Sequence, residues 1–555
     1  MTRYLAILSV FLLNSCHKTD SSSLFNTAAY YLQDSFRLQL VAIEPMLDAP
    51  VAIAFDERGR IWVAEMRGYM TDLDNSGESQ PSGRISILED RNGDGVMDRR
   101  HTFLDSLVLP RALALVYGGL LYAEPPKLWF VDIDNDRPGA RTLVDSAYAT
   151  GGNVEHQPNG LLLAMDNWIY SAKSDLRYRR KNGRWLREKT HYRGQWGIAQ
   201  DAFGRLFYND NSNQLQGDWV LPNALLRNRF FEPSTGFNIQ ICTDQRVYPL
   251  RPTAVNRGYE SGMLDSAGRL RNVTSACGPL IYRGGQFPPD FTGNAFVCAP
   301  EANLVKRNIF DPAATPRLQA RQAYTEREFL AATDPGFRPV NLNEGPDGCL
   351  YVTDMHRGII QHKTYMTAYL REQILNQQLD TIHGGGRILR IVHAGTSRTK
   401  PPRLDIAKTG QLVQALGHPN AWVRDKARQL LIEHGDTGVL PLLRKMATDA
   451  SKPQRQLQAL WALEGLDALD FDLLKETASS ANHPWVTMTA LHLLAGIQPA
   501  ATGQTMLPVF EKLHEWQDSV ADLALCLYTG PWGKTHPDPV YELLGRLAQQ
   551  YAADT

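Results

Sequence analysis

Between residues 38 and 393, short apolar runs alternate with Gly, Pro, Asp and aromatic turn signals, the pattern of an all-β fold. One unit recurs: an apolar strand, a polar turn with glycine, then an aromatic strand closed by an acid. It reads PVAIAFDERGRIWVAE ending at Glu65, RALALVYGGLLYAE at Glu124 and NGLLLAMDNWIYSAKSD at Asp175. It returns as QWGIAQDAFGRLFYND ending at Asp210, GPLIYRGGQFPPDFTGNAFVCAPE at Glu301 and RPVNLNEGPDGCLYVTD at Asp354. These six units predict a six-bladed β-propeller over residues 38–396. In such a ring, equivalent strand ends crowd one opening, so the six acids are expected to form a polar rim where ligands bind.

Past residue 396 the period changes. After a linker at Lys400 to Pro402, LVQALGHPNAWVRDKARQLLIEHGD and ANHPWVTMTALHLLAGI each set His-Pro and Trp-Val ahead of a 3.6-period apolar helix. Residues 397–555 are therefore expected to form HEAT-like helical repeats, all-α, that pack on the propeller or dock a protein. At the other end, Met1-Thr2-Arg3 leads into an apolar run from Leu5 to Leu13, an export signal too short to span a bilayer. Leu13-Asn14-Ser15-Cys16 resembles a lipobox, which assigns residues 1–16 to a signal peptide ending at a lipidated Cys16. Residues 17–37 would then be a polar tether, and the protein an exported one anchored to a bacterial membrane, on its periplasmic side or at the cell surface.

Charge narrows the partners. The chain has 555 residues, with 58 Lys and Arg against 59 Asp and Glu and a formal net charge of -1. No dense basic run is present, so nucleic acid is not an expected partner. Of the cysteines, Cys277 and Cys298 fall within one unit and are the best-placed disulfide pair for an exported chain. No CxxCH occurs, so no covalent haem is encoded.

Two segments carry candidate chemistry. DRNGDGVMD sets Asp90, Asn92, Asp94 and Asp98 around a turn at Gly95, a spacing that resembles a calcium loop of several oxygen ligands. In the third unit, His156 precedes the strand and Asp175 closes it. A propeller can bring such a pair to the channel mouth, where a carboxylate-oriented imidazole acts as a general base.

The phrases NSNQLQGDWVLPNALLRN, TSACGPLIYRG, AFVCAPEANLVKR, FRPVNLNEGPDGCLYVTDMHRG and GGGRILRI resemble the bacterial membrane-bound dehydrogenase family of propellers with helical repeats. A more distant likeness is to soluble glucose and sorbosone dehydrogenases, six-bladed quinoproteins that bind pyrroloquinoline quinone (PQQ). Their histidine, acid and tyrosine pattern is similar to His156, Leu161, Asp166, Tyr170 and Asp175 here. That likeness implies His156 as base, Asp175 as its orienting partner and Arg193 as stabiliser of the quinone oxyanion. It also implies Arg338, ahead of the strand ending at Asp354, as a clamp on the cofactor's carboxylates. Where those enzymes carry a cofactor-binding lysine this chain has Asn303, and Lys306 is the cation that follows. The function so implied is oxidation of a sugar or polyol with PQQ and calcium (Ca2+), electrons passing to a separate acceptor such as a cytochrome. Two other readings are a metal-dependent propeller hydrolase or lactonase and a non-catalytic surface propeller that binds glycans or proteins.

Overall fold

The computed structural model describes residues 25–228, 230–396, 400–497 and 503–552. The signal run, Cys16 and residues 17–24 of the proposed tether lie outside the described residues. Six antiparallel sheets surround one axis, and each recurring unit supplies the two innermost strands of one blade. The innermost strands are Pro50–Phe55, Ala112–Val116, Asn159–Leu163, Ala199–Gln200, Cys277–Ile281 and Pro339–Glu344. In the first four blades the strands follow chain order outward.

The last two blades are completed from the start of the chain. Tyr30–Leu32 pairs with Leu330–Ala332 on the fifth blade. Phe36–Ile43 pairs with Arg387–His393 on the sixth, in register from Phe36 opposite His393. The ring is thus latched by strands remote in sequence, which leaves no open edge between its first and last blades. The tether expected to run to residue 37 therefore ends earlier, because residues 30–32 and 36–37 are already sheet. A lone closing strand has no turn partner of its own and escapes a search for strand-turn-strand units.

The helical region begins with Thr409–Ala415 and Ala421–His434 and ends with Pro537–Gln550. The His-Pro repeats mark helix starts, as their chemistry requires. After His418-Pro419, the Asn420 side chain accepts the Trp422 N–H at 2.9 Å, and His483 caps a helix that opens on Pro484.

Helix Ala421–His434 lies across one axial end of the propeller. Gln429 donates to Leu115 O at 2.7 Å, Asn420 donates to Gly345 O at 3.0 Å, and Arg283 pairs with Asp425 at 3.1 Å. The buried Arg428 guanidinium reaches Met165 O and Asn167 Oδ1 in the third blade. The cavity on this side is lined by the far ends of the inner strands, from Phe55, Val116 and Leu163 to Glu344. The helix therefore closes it, leaving the opposite mouth, where the inner strands begin, as the approach to the axis.

Candidate functional site

At that mouth the chain enters the third blade through a single 3-10 turn, Val154–His156, capped by the Asn153 side chain on Glu155 N–H. From beneath, the buried Arg111 donates to Val154 O at 3.0 Å and holds the turn. Two chambers meet here. The inner one, about 120 Å³, has walls from Met66, Tyr69, Trp196, Cys277, Val340 and Met355. The outer one, about 250 Å³, is polar, with His156, Asn211, Asn256, Arg257 and Tyr365. Glu155, Glu301, Asn211, Thr274 and Gln361 line both.

The network around His156 assigns its tautomer. Gln195 Nε2 donates to Asn211 Oδ1 at 2.7 Å and faces His156 Nε2 at 3.2 Å. A carboxamide nitrogen only donates, so Nε2 holds a lone pair. Nδ1 then carries the hydrogen, directed at Asn153 Oδ1 (3.1 Å) and Tyr365 Oη (2.9 Å). Burial, with Lys173 and His362 nearby, holds the imidazole below its ordinary pKa, which favours this neutral form.

Asp175 does not orient His156. The strand Ile169–Ala172 ends before it, Lys173 turns the chain at φ +59°, and Asp175 falls on the next strand outward. There it is half exposed and accepts from Lys189 Nζ at 2.5 Å. Asn153 and Tyr365 hold the ring instead, and neither belongs to the recurring unit.

The expected quinone cradle is engaged elsewhere as well. Arg338 is buried and donates to Arg357 O, Pro300 O and Gly358 O at 2.8–2.9 Å, tying the fifth and sixth blades together. Asp354 accepts from Arg338 N and His356 N and pairs with Arg387 Nε at 2.7 Å. Asn303 is buried in a left-handed turn at φ +55° and donates to Phe337 O at 2.7 Å. Lys306 is buried against Glu328 at 2.9 Å and Arg246 O at 2.7 Å. Arg193 pairs with Asp218 at 2.8 Å, with both side chains enclosed. With these donors committed to the protein's own carbonyls and acids, the set does not fit a tricarboxylate cofactor, and no chemistry is derived through one.

The acid rim is also sparser than expected. Glu65 bonds Arg84, Ser86 and the Asp48 N–H, Glu124 pairs with Arg141, and Asp210 caps its own turn. Of the six acids, Glu301 lines the chambers. Its carboxyl accepts from Thr274 Oγ1, and burial pushes it above the ordinary carboxylate range.

Its companion is Glu155, which carries no motif. The Glu155 carboxyl meets Tyr69 Oη at 3.0 Å, Gln361 Nε2 at 3.2 Å and the His362 N–H. Burial pushes it up to about 7; the His362 N–H and the Gln361 amide oppose the rise and Glu301 adds to it. The site therefore biases an imidazole toward its neutral form and a nearby carboxyl toward its protonated one, the pairing that acid–base chemistry uses.

The other expected features lie apart. Asp90, Asn92, Asp94 and Asp98 sit on an exposed hairpin at the closed end of the propeller. Asp90 takes the Gly93 and Gly95 N–H groups at 2.7 Å, Asp94 takes that of Val96 at 2.8 Å, and Asn92 donates to Asp94 at 3.0 Å. Asp98 accepts from Arg91 N at 3.3 Å. Among the described residues no group of three or more His, Cys, Asp or Glu is arranged to hold a metal. These carboxylates close the turn through its own backbone. Cys277 and Cys298 are directly opposite in register, and in the structure both are thiols.

Fold and site define a six-bladed propeller with an acid–base funnel at one mouth and a helical region sealing the other. The match to a family model over residues 27–395, described as "Domain of unknown function (DUF7133)", covers most of the chain, and the chain belongs to that family. No curated protein matches it. Among solved structures, the PQQ domain of pyranose dehydrogenase from Coprinopsis cinerea is similar at 13% identity and a TM-score of 0.35, over 65% of this chain and 97% of that one. The soluble aldose sugar dehydrogenase from Escherichia coli is similar at 13% identity and 0.36, over 64% and 99%. Virginiamycin B lyase from Staphylococcus aureus is similar at 10% and 0.32, over 64% and 99%.

Proposed function

We propose that the funnel oxidises a hydroxyl of a sugar or polyol, with His156 as the general base and a quinone-type two-electron acceptor drawn from solution. The observation that carries this reading is the neutral His156 in the wall of a chamber lined by carboxamides and hydroxyls, its Nε2 lone pair resting on Gln195 Nε2 at 3.2 Å, a contact that a substrate hydroxyl would replace. Such groups exchange hydrogen bonds with a polyol in both directions. As the substrate's C–H delivers hydride to the acceptor, the O–H proton passes to Nε2, and Asn153 and Tyr365 steady the imidazolium through Nδ1–H.

The test is reduction of an artificial quinone by the purified chain across a panel of sugars and polyols, with and without added PQQ and calcium. His156→Ala is expected to lose about 10²–10⁴-fold in turnover. An unchanged rate in that variant removes the reading. Export and lipid anchoring are supported by the Leu13 to Cys16 run, and Cys16→Ser should abolish labelling by a radioactive fatty acid and release the protein from membranes.

A further inference from the structure

We infer that Glu155 is a second catalytic group of this funnel: it carries a proton in the resting site and delivers it to the reduced acceptor while His156 receives the substrate's. The inference rests on the oxidoreductase reading above and adds a residue and a proton path to it.

Proton counting at Tyr69 supports the resting state. Tyr69 is buried, and its hydroxyl has one hydrogen but two oxygen neighbours, Ile360 O at 2.8 Å and the Glu155 carboxyl at 3.0 Å. A carbonyl only accepts, and so does an ionised carboxylate. An ionised Glu155 would leave one of these two contacts without a hydrogen, whereas a protonated Glu155 can donate to Tyr69 while Tyr69 donates to Ile360 O. Gln361 Nε2 and the His362 N–H can still donate to the carboxyl's remaining lone pairs.

The groups facing Glu155 leave that proton in place. The fifth blade contributes the buried Glu301 carboxyl, and the loop between the second and third strands of blade one contributes neutral Tyr69. From the loop between the second and third strands of blade six, His362 offers its backbone N–H, while its ring lies 3.4 Å from Glu78. Arg111 lies behind the turn and bonds Val154 O. His156 directs its ring at Gln195, Asn153 and Tyr365. No cation side chain makes an ion pair with Glu155 among the described residues.

Placement completes the argument. Glu155 and His156 are consecutive on one capped turn, yet His156 lines the outer chamber and Glu155 lines both. A substrate hydroxyl in the outer chamber meets the base, and an acceptor seated inward meets the acid. The balance is then closed. The alcohol loses hydride from carbon and a proton to His156, and the acceptor gains that hydride and the Glu155 proton to become a quinol. On product release the His156 proton returns to Glu155, so alcohol plus quinone gives carbonyl compound plus quinol.

The experiment pairs kinetics with infrared spectroscopy on the full chain. In the wild type, kcat/KM should fall above about pH 7, as Glu155 loses its proton, and should fall again in acid, where His156 gains one. Glu155→Gln, close to isosteric, should lower kcat about 10²–10⁴-fold with KM little changed and should remove the alkaline limb. His156→Ala should remove the acid limb. At pH 6 the wild type should show the C=O band of a protonated carboxylic acid that Glu155→Gln lacks. An alkaline limb that survives in Glu155→Gln, or no band lost in that variant, overturns the inference. The band without turnover on any sugar and acceptor pair overturns the oxidoreductase reading instead.

Discussion

Arg193→Ala separates a structural arginine from a catalytic one. The likeness to quinoproteins implies that Arg193 stabilises an oxyanion, in which case its loss would cost turnover and leave the fold intact. The geometry implies the reverse. Arg193 Nε meets Asp218 Oδ2 at 2.8 Å with the two side chains only 2% and 1% exposed, and Nη1 donates to Thr190 Oγ1 at 2.7 Å and His191 O at 2.8 Å. Truncation strands a buried carboxylate that keeps Tyr208 Oη but has no cation, and breaking a buried pair from one side costs about 3–5 kcal/mol. The stranded Asp218 would relieve that cost by taking up a proton, so the loss should be smaller at pH 5 than at pH 8. The assay is a urea and thermal denaturation series at both pH values. The double variant Arg193→Met, Asp218→Leu should recover most of the stability, because removing both charges also removes their desolvation. A single variant with unchanged midpoints and reduced turnover would refute the reasoning and restore the catalytic role.

Other perturbations test other parts of the molecule. Burial would raise Asp334, but its bonds to His356 and Arg387 outweigh that and hold it below the ordinary carboxylate range. The same contact, with Asp354, outweighs burial to raise His356. The depressed carboxylate stabilises above about pH 3.9 and fades as pH falls through its folded pKa. The raised imidazole stabilises below about pH 6.5 and fades as pH rises through its own. Asp334→Asn should therefore lower Tm most near pH 5–6, less at pH 3, and partly at pH 9, where Arg387 remains; a pH-independent loss contradicts this. Arg428→Ala removes the bonds from the sealing helix to the third blade at about 1.5–3 kcal/mol for charged hydrogen bonds, and limited proteolysis should degrade the helical region more readily. A Cβ on Gly358 would lie 1.8 Å from Leu379 O, so Gly358→Ala should displace the loop that carries Gln361 and Tyr365. That is expected to cost about 1–3 kcal/mol, read by Tm, and to lower activity. Glu155→Gln should raise Tm at pH 8 by removing a buried acid that ionises with difficulty, a gain of about 3 kcal/mol at most, and should change little at pH 4.

The ring was legible because each blade repeats its own strand, turn and strand, so a local pattern appeared six times. What escaped was non-local. Tyr30–Leu32 and Phe36–Ile43 are sheet only because their partners lie some 300 residues away, and nothing in their own spacing announces that. The same limit applies at the funnel. Gln361 and Tyr365 arrive on a loop remote from His156, and Gln195 and Asn211 are carboxamides with no signature of spacing or charge. A glutamate next to the histidine was the available cue, half-buried in the fold as acids seldom are without a cation. Yet Glu155 reads as an ordinary solvent-facing acid until Tyr69 and Glu301 are brought against it.

Spacing misled at Asp175 and Arg338 for one physical reason. A strand ends wherever the chain can turn, and the left-handed Lys173 moves the following acid onto the next strand without altering its distance in sequence from His156. Arg338 likewise keeps its distance from Asp354, but the loop around Arg357 and Gly358 presents three carbonyls to its guanidinium. An arginine buried among carbonyls of the fold and lining neither chamber presents no donor to a ligand there. Retained spacing therefore reports the shared sheet geometry, and the hydrogen-bond partners decide the role. By that criterion the residues with capacity to act are His156, which lines the outer chamber and whose Nε2 meets only the exchangeable amide of Gln195, and Glu155, whose carboxyl opens onto both chambers. Tyr69 meets both that carboxyl and Ile360 O with a single hydrogen, which favours a proton on Glu155.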